Sequence, residues 1–195
     1  MNDRSPEHIS PLLVRIDRLM AERERVLVAI DGGSASGKTT LGAPLQSIYA
    51  CPVFHMDDFF LRPEQRTPER FSEPGGNVDR ERFLSEVLLP LREGKAVDYR
   101  RFDCKTFTIA PPRRIEPGRL NIIEGAYAMH PDLAPYYDLS VFLAIPAEKQ
   151  RERILKRNAP AQTKQFFDRW IPLERRYFDA LDVQDRCDLV LSADD

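Results

Sequence analysis

Cysteine is scarce in this chain, with three residues in 195. Cys51, Cys104 and Cys187 are widely spaced and odd in number, and none belongs to a CxxC pair. A disulfide framework is therefore not expected, and all three read as reduced packing thiols. No apolar run reaches the length needed to span a bilayer, so no membrane partner is expected. Neither sign of charge dominates, at 29 basic against 31 acidic residues, so no cationic face for a nucleic acid is expected either. The opening stretch, MNDRSPEHIS, is charged and lacks the apolar centre of a signal peptide, which leads to the expectation of a cytoplasmic protein. No repeat, low-complexity tract or linker divides the sequence, and a single domain over 1–195 is expected.

What is present alternates between two patterns. Ile9, Leu12, Leu13, Ile16, Leu19 and Met20 recur at helical spacing and predict an amphipathic helix over 7–24, with Ser10 and Pro11 as cap and first-turn residue. RVLVAI predicts a buried strand over 26–30. A glycine-rich turn and a helix over 38–49, interrupted by Pro44, come next, followed by a second strand over 51–55. Residues 57–77 hold too many prolines and glycines for one regular element, and a loop of that length is commonly functional. A helix over 79–92 starts from Asp79 as cap and buries Phe83, Leu84, Val87, Leu88 and Leu91. Residues 95–118 read as irregular with a short extended pair. Strands are expected at 120–124, 139–145 and in CDLVLS, and helices at 147–157 and 163–180. Strands that are apolar throughout, alternating with helices, predict an α/β fold: a five-stranded parallel sheet covered on both faces.

The strongest chemical signal is GGSASGKT, which satisfies G-x-x-x-x-G-K-[ST] at Gly32, Gly37, Lys38 and Thr39 between a predicted strand and helix. Gly33, Ser34, Ala35, Ser36 and Thr40 complete the turn. Its backbone N–H groups would cradle phosphate oxygens at a helix N-terminus. Lys38 would reach the β- and γ-phosphates and the Thr39 hydroxyl a Mg²⁺ ion, so ATP and Mg²⁺ are the expected cofactors. The guanine-reading N-K-x-D of GTPases is absent, which favours phosphoryl transfer to a small-molecule alcohol. In a parallel sheet the strand C-termini share one edge, so GGSASGKT, MDDFF and EGAY should meet there. Asp57 and Glu124 then stand where a hydroxyl base and a metal-holding acid are needed.

Together GGSASGKTT, MDDFF, NVD (77–79), FD (102–103) and NIIEG resemble the uridine kinase and phosphoribulokinase family, with its nicotinamide riboside kinase relatives, over about 30–191. The resemblance implies a P-loop NTPase fold with a substrate-binding loop, helix and flap at 57–118 and a lid at 147–180. It implies that Asp57 is the base facing the acceptor hydroxyl and that Thr39, Asp57 and Glu124 arrange Mg²⁺, while Asp58 supports the turn or caps the next segment. It implies that Asp79 holds ribose hydroxyls and that the acceptor also meets Phe59, Phe102, Asp103, Phe107 and Glu124. The lid helix would supply arginines to the moving phosphoryl group from Arg151, Arg153 and Arg157. Arg153 is the catalytic choice, with Arg157 at the nucleotide. The family's Y-D-F-x-x-H-x-R stretch reads here FDCKTFTI, so Phe102, Phe107 and Ile109 replace its Tyr, His and Arg. Phenylalanine can stack on a base but cannot hydrogen-bond its edge. A nucleoside or similarly sized ribosyl compound is the expected acceptor, and a nucleotide-binding regulator or a water-using ATPase are the alternatives. Homo-oligomerisation is left open.

Overall fold

In the computed structural model, which describes residues 9–192, all six residues of β1 (Val26–Asp31) are buried. Val26, Val28 and Ile30 point to one side and Leu27 and Ala29 to the other, each into its own apolar cluster. A strand buried on both faces needs helices on both faces. On the first side α1 (Ser10–Glu22) packs Leu12 and Ile16, and α2 (Lys38–Tyr49) packs Leu41 and Leu45. Residues 7 and 8 of the expected first helix lie outside the described residues. Ser10 is not its cap: Ile9 holds that position without a side-chain bond, and Ser10 and Pro11 form the first turn.

β2 (Val53–His55), β7 (Leu120–Glu124), β8 (Leu139–Ala144) and β9 (Leu189–Ser192) complete a parallel sheet in the order β2-β7-β1-β8-β9. Its register pairs Ile30 and His55 with Glu124, so three strand ends finish level at one edge. The expected sheet of five parallel strands is present.

The structure departs from the sequence expectations in several places. Helix α2 runs unbroken through Pro44, because buried Leu41 and Leu45 hold it to the sheet on either side of the missing hydrogen bond. Residues 57–77 are mostly loop but include α3 (Pro68–Ser72), capped by the Thr67 hydroxyl. α4 (Arg80–Phe83) continues through a π turn, Leu84–Leu88, into α5 (Leu89–Arg92), starting at the predicted Asp79 cap. The 95–118 segment forms two short antiparallel ladders. β3 (Val97–Tyr99) pairs with β6 (Arg113–Ile115), and β4 (Phe102–Asp103) pairs with β5 (Thr108–Ile109) nearer the tip. α6 (Ala147–Arg157) has the predicted bounds. α7 (Pro160–Gln165), a π turn and α8 (Ile171–Ala180) follow one another without a break. Cys51 is buried, but Cys104 is exposed on the flap and does not pack as expected. Among the described residues no helix is long and apolar enough to cross a membrane.

Candidate active site

The loop after β1 owes its shape to backbone that few side chains tolerate. Gly32 has φ of 144°, and a Cβ there would stand 2.5 Å from the Leu143 carbonyl oxygen. Ala35 and Gly37 both lie in the left-handed region, at φ of 61° and 101°, the alternation that turns successive N–H groups toward one centre. Asp31, buried at the end of β1, fixes the entry to the loop. Its carboxylate accepts the N–H of Gly32 at 2.7 Å, that of Met129 at 2.9 Å and the Tyr177 hydroxyl at 2.8 Å. Burial raises its pKa, against those hydrogen bonds.

Two helices grip the loop from above. On α6, Gln150 Nε2 donates to Ser34 O at 3.0 Å, and Arg153 Nη1 donates to the carbonyls of Ala35 and Ser36 at 3.2 Å each. On α8, Glu174 accepts the Ser34 N–H at 2.9 Å and also the Ser34 hydroxyl. Burial raises the Glu174 pKa, against the Ser34 bonds. Lys38 Nζ donates to the carbonyls of Gly32 and Gly33 at 2.7 and 3.0 Å, inside the curl of the loop.

Opposite the loop, the ends of β2 and β7 bring the acids together. Glu124 Oε1 accepts the Thr39 hydroxyl at 3.0 Å and lies 2.6 Å from His55 Nδ1. Burial pulls the Glu124 pKa up, but the bond and charge of His55, with Lys38 and Thr39, outweigh it and hold the group below its usual range. The Glu124 hydrogen bond in turn raises His55. Asp57 opens onto the cleft, yet the walls strip part of its hydration and raise its pKa. Glu124 and Asp58 add to this, and Lys38 opposes it. Asp58 ties the turn to the flap, accepting from Tyr99 Oη and Arg101 Nε at 2.8 Å each.

Ser34, Ala35, Gly37, Lys38, Thr39, Thr40, Asp57, Glu124, Arg153 and Arg157 therefore line one cleft of about 690 Å³, as their sequence positions predict. Arg151 stands apart, stacked on Phe167.

The acceptor-side residues divide differently. Phe59 is 0% exposed, packed edge-on to Phe83 with Arg82 over its face, so it belongs to the core. Its neighbour Phe60 faces the cleft, beside Trp170. Asp79 is 1% exposed. One of its oxygens caps α4 through Arg82 N and the other meets Arg62 Nε at 3.1 Å. Asn77, two residues earlier, lines the cleft in its place. Asp103 is exposed at the end of β4, and its carboxylate accepts the N–H groups of Lys105 and Thr106 in the turn that follows. Phe102 is buried in the flap, and only Phe107 presents its ring to an adjoining cavity.

Sequence reasoning did not single out Asp31, His55, Phe60, Asn77, Tyr127, Trp170 or Glu174. Asp31 carries a legible signal, an acid ending a fully apolar strand directly before the glycines. Tyr127 sits at φ of 78° in the quoted EGAY turn, a strained conformation for an aromatic residue at a cleft wall. Glu174 lies in an ordinary charged helix and carries no signal.

A parallel sheet in this order, with a phosphate-binding loop after β1 and acids after β2 and at the end of β7, defines a P-loop kinase fold. The chain belongs to the phosphoribulokinase / uridine kinase family, whose model matches residues 27–162. Uridine kinase-like protein 3 of Arabidopsis thaliana is 30% identical over 154 residues, covering 71% of this chain and 33% of that protein. The chain thus spans about a third of that relative's length. The uridine kinase of Chloroflexus aggregans is 30% identical over 143 residues, 68% of each chain. The structure of a possible uridine kinase from Bacillus stearothermophilus matches with a TM-score of 0.66 at 24% identity, covering 93% of this chain and 99% of that one, which shows a shared fold.

Proposed function

We propose that the protein is an ATP-dependent phosphotransferase that moves the γ-phosphate to a hydroxyl of a nucleoside or similarly sized ribosyl compound. The observation that carries this reading is the placement of Asp57, a carboxylate with a raised pKa, in the same cleft as Lys38 and the phosphate loop. A protein that only binds nucleotide has no need of a base for an acceptor.

The chain suits the groups this requires. Ser36 Oγ is buried within the loop without a hydrogen-bond partner, a polar atom that a phosphate oxygen would satisfy. Thr39, Asp57 and Glu124 offer oxygen donors alone, the set a hard cation takes. Among the described residues no three His, Cys, Asp or Glu side chains form a metal cage. Mg²⁺ keeps waters and phosphate oxygens among its ligands and does not need one. When bound, it would neutralise charge on the phosphates.

Asp57 holds the acceptor hydroxyl in line with the phosphoryl group and takes its proton at a carboxylate oxygen. Lys38 exchanges the Gly32 and Gly33 carbonyls for phosphate oxygens. Arg153 and Arg157 oppose the charge of the moving group, and α6 keeps water from the loop. His55 holds Glu124 ionised and oriented.

The test is ADP release from Mg·ATP across nucleosides, nicotinamide riboside, pantothenate and ribosyl phosphates, with Asp57→Asn as control. One alcohol should stimulate release and gain a phosphate. Asp57→Asn should lower turnover by about 10² to 10⁴ at unchanged nucleotide affinity. Near-normal turnover in Asp57→Asn would refute the base. ATP binding that no alcohol stimulates would favour a nucleotide-binding regulator.

A further inference from the structure

Beside the main cleft, and sharing Phe60, Asn77 and Trp170 with it, is a smaller cavity of about 190 Å³. Two cationic side chains line it, Arg66 and Arg169, and no acidic one does. Both guanidinium groups are held in place by aromatic faces. Arg66 Cζ lies 5.0 Å from the Phe107 ring centre and 5.6 Å from that of Phe102, and its Nε donates to Leu61 O at 2.9 Å. Arg169 Cζ lies 5.0 Å from the Phe71 ring and 4.9 Å from the Trp170 ring. Among the described residues neither guanidinium meets a carboxylate, although this chain pairs many of its other arginines with acids, as in Arg62 with Asp79 and Arg70 with Glu81. Contact with the aromatic faces restrains each guanidinium while leaving its terminal N–H groups to find an acceptor.

From this arrangement we infer that Arg66 and Arg169 form an anion-reading subsite, and that the phosphoryl acceptor carries a carboxylate or phosphate at the end remote from its reacting hydroxyl. The inference rests on the phosphotransferase reading for the identity of that hydroxyl. Asp57 lines the main cleft and Arg66 the cavity, and the two share Phe60, Asn77 and Trp170 as common wall, which puts the two ends of such a molecule in adjoining spaces. Asp103, the nearby acid of the flap, already has its charge engaged by Lys105 N and Thr106 N. Phe107 and Trp170 would cover the molecule's apolar face. Where hydrogen bonds to a neutral base would be needed, Phe102 and Phe107 supply none, and the charged pair takes over discrimination.

The experiment uses two reporters in the cavity wall. Trp170 is the chain's only tryptophan, and Cys104 is its only exposed cysteine. The protein is saturated with a non-hydrolysable ATP analogue and Mg²⁺, so that the phosphate loop is filled. It is then titrated with ribose, ribonate and ribose 5-phosphate, following Trp170 fluorescence and the rate of Cys104 alkylation. Ribonate or ribose 5-phosphate should change the fluorescence and slow labelling at concentrations where ribose does neither, and the better of the two identifies the anion. Arg66→Gln and Arg169→Gln should each weaken that binding by about tenfold or more, with nucleotide affinity unchanged, and the Arg→Lys variants should restore part of it. Arg169 is exposed, so its variants test the idea even if Arg66→Gln folds poorly. Ribose binding as well as the charged compounds, no signal from any of the three, or Gln variants with unchanged affinity would overturn the subsite. ADP release is then measured with ATP and the same compounds. Arginine-dependent binding without turnover would refute the phosphotransferase reading and leave the subsite standing.

Discussion

His55 Nδ1 stands 2.6 Å from the same Glu124 oxygen that accepts the Thr39 hydroxyl, so one carboxylate joins the end of β2 to the start of α2 across β7. The pair stabilises the fold while both groups are charged. Its contribution is lost as pH rises through the raised His55 pKa, and again as pH falls through the lowered Glu124 pKa. His55→Gln should therefore lower Tm most in slightly acidic buffer, with the difference from wild type closing in alkaline buffer. His55 is partly exposed, so the loss should stay near or below ~1 kcal/mol. A pH-independent difference in Tm would contradict this.

The arginines of α6 should separate by position. Arg153 touches the loop carbonyls and lines the cleft, whereas Arg151 stacks on Phe167 outside it. Arg153→Ala should reduce transfer by roughly a thousandfold, and Arg151→Ala only slightly. Steady-state kcat for the two variants checks this, and equal losses would mean that the helix acts as a uniform field of charge.

Glu174 holds two donors of Ser34 from a helix 140 residues away in sequence. Removing it takes the acceptor from a half-buried N–H and hydroxyl, at a cost toward the lower end of about 1–3 kcal/mol. Thermal unfolding of Glu174→Ala should show a drop of about 2–4 °C for each kcal/mol lost in a chain of this size. Glu174→Gln, which keeps an acceptor oxygen, should lose less.

His130 is buried, and desolvation, with Arg80 beside it, lowers its pKa from 6.5 to about 4. The unfolded chain binds this proton more readily than the folded one. Stability from this group is whole above pH 6.5 and falls as pH drops from there toward 4, by up to roughly 3 kcal/mol. Denaturant midpoints measured across that window should decline more steeply in wild type than in His130→Gln. Parallel profiles would assign the acid sensitivity to other groups.

Much of the site was legible because its signals are local. The phosphate loop needs glycine where a Cβ would strike Leu143, and its lysine and threonine follow at fixed offsets, so Lys38 and Thr39 could be read directly. Asp57 and Glu124 were legible because parallel strands deliver their C-terminal residues to one edge. The sequence offers Asp79 both as a helix cap and, through the family resemblance, as a substrate ligand. The cap is formed, and Arg62 occupies the other oxygen.

By itself the sequence determined the parallel sheet, the phosphate loop and the acids facing it, since apolar runs and glycine offsets act over a few residues. Only the tertiary structure decided between Phe59 and Phe60. The two are adjacent beyond a single turn of helix, where no periodicity assigns a face, and the packing of Phe59 on Phe83 sends Phe60 into the cleft. The same holds for Glu174 on Ser34, His55 on Glu124, and Arg66 and Arg169 around one cavity. These partners lie far apart in the chain, or meet across a fold in the backbone. They are set by how helices and flap close over the sheet, a product of packing that no local pattern encodes.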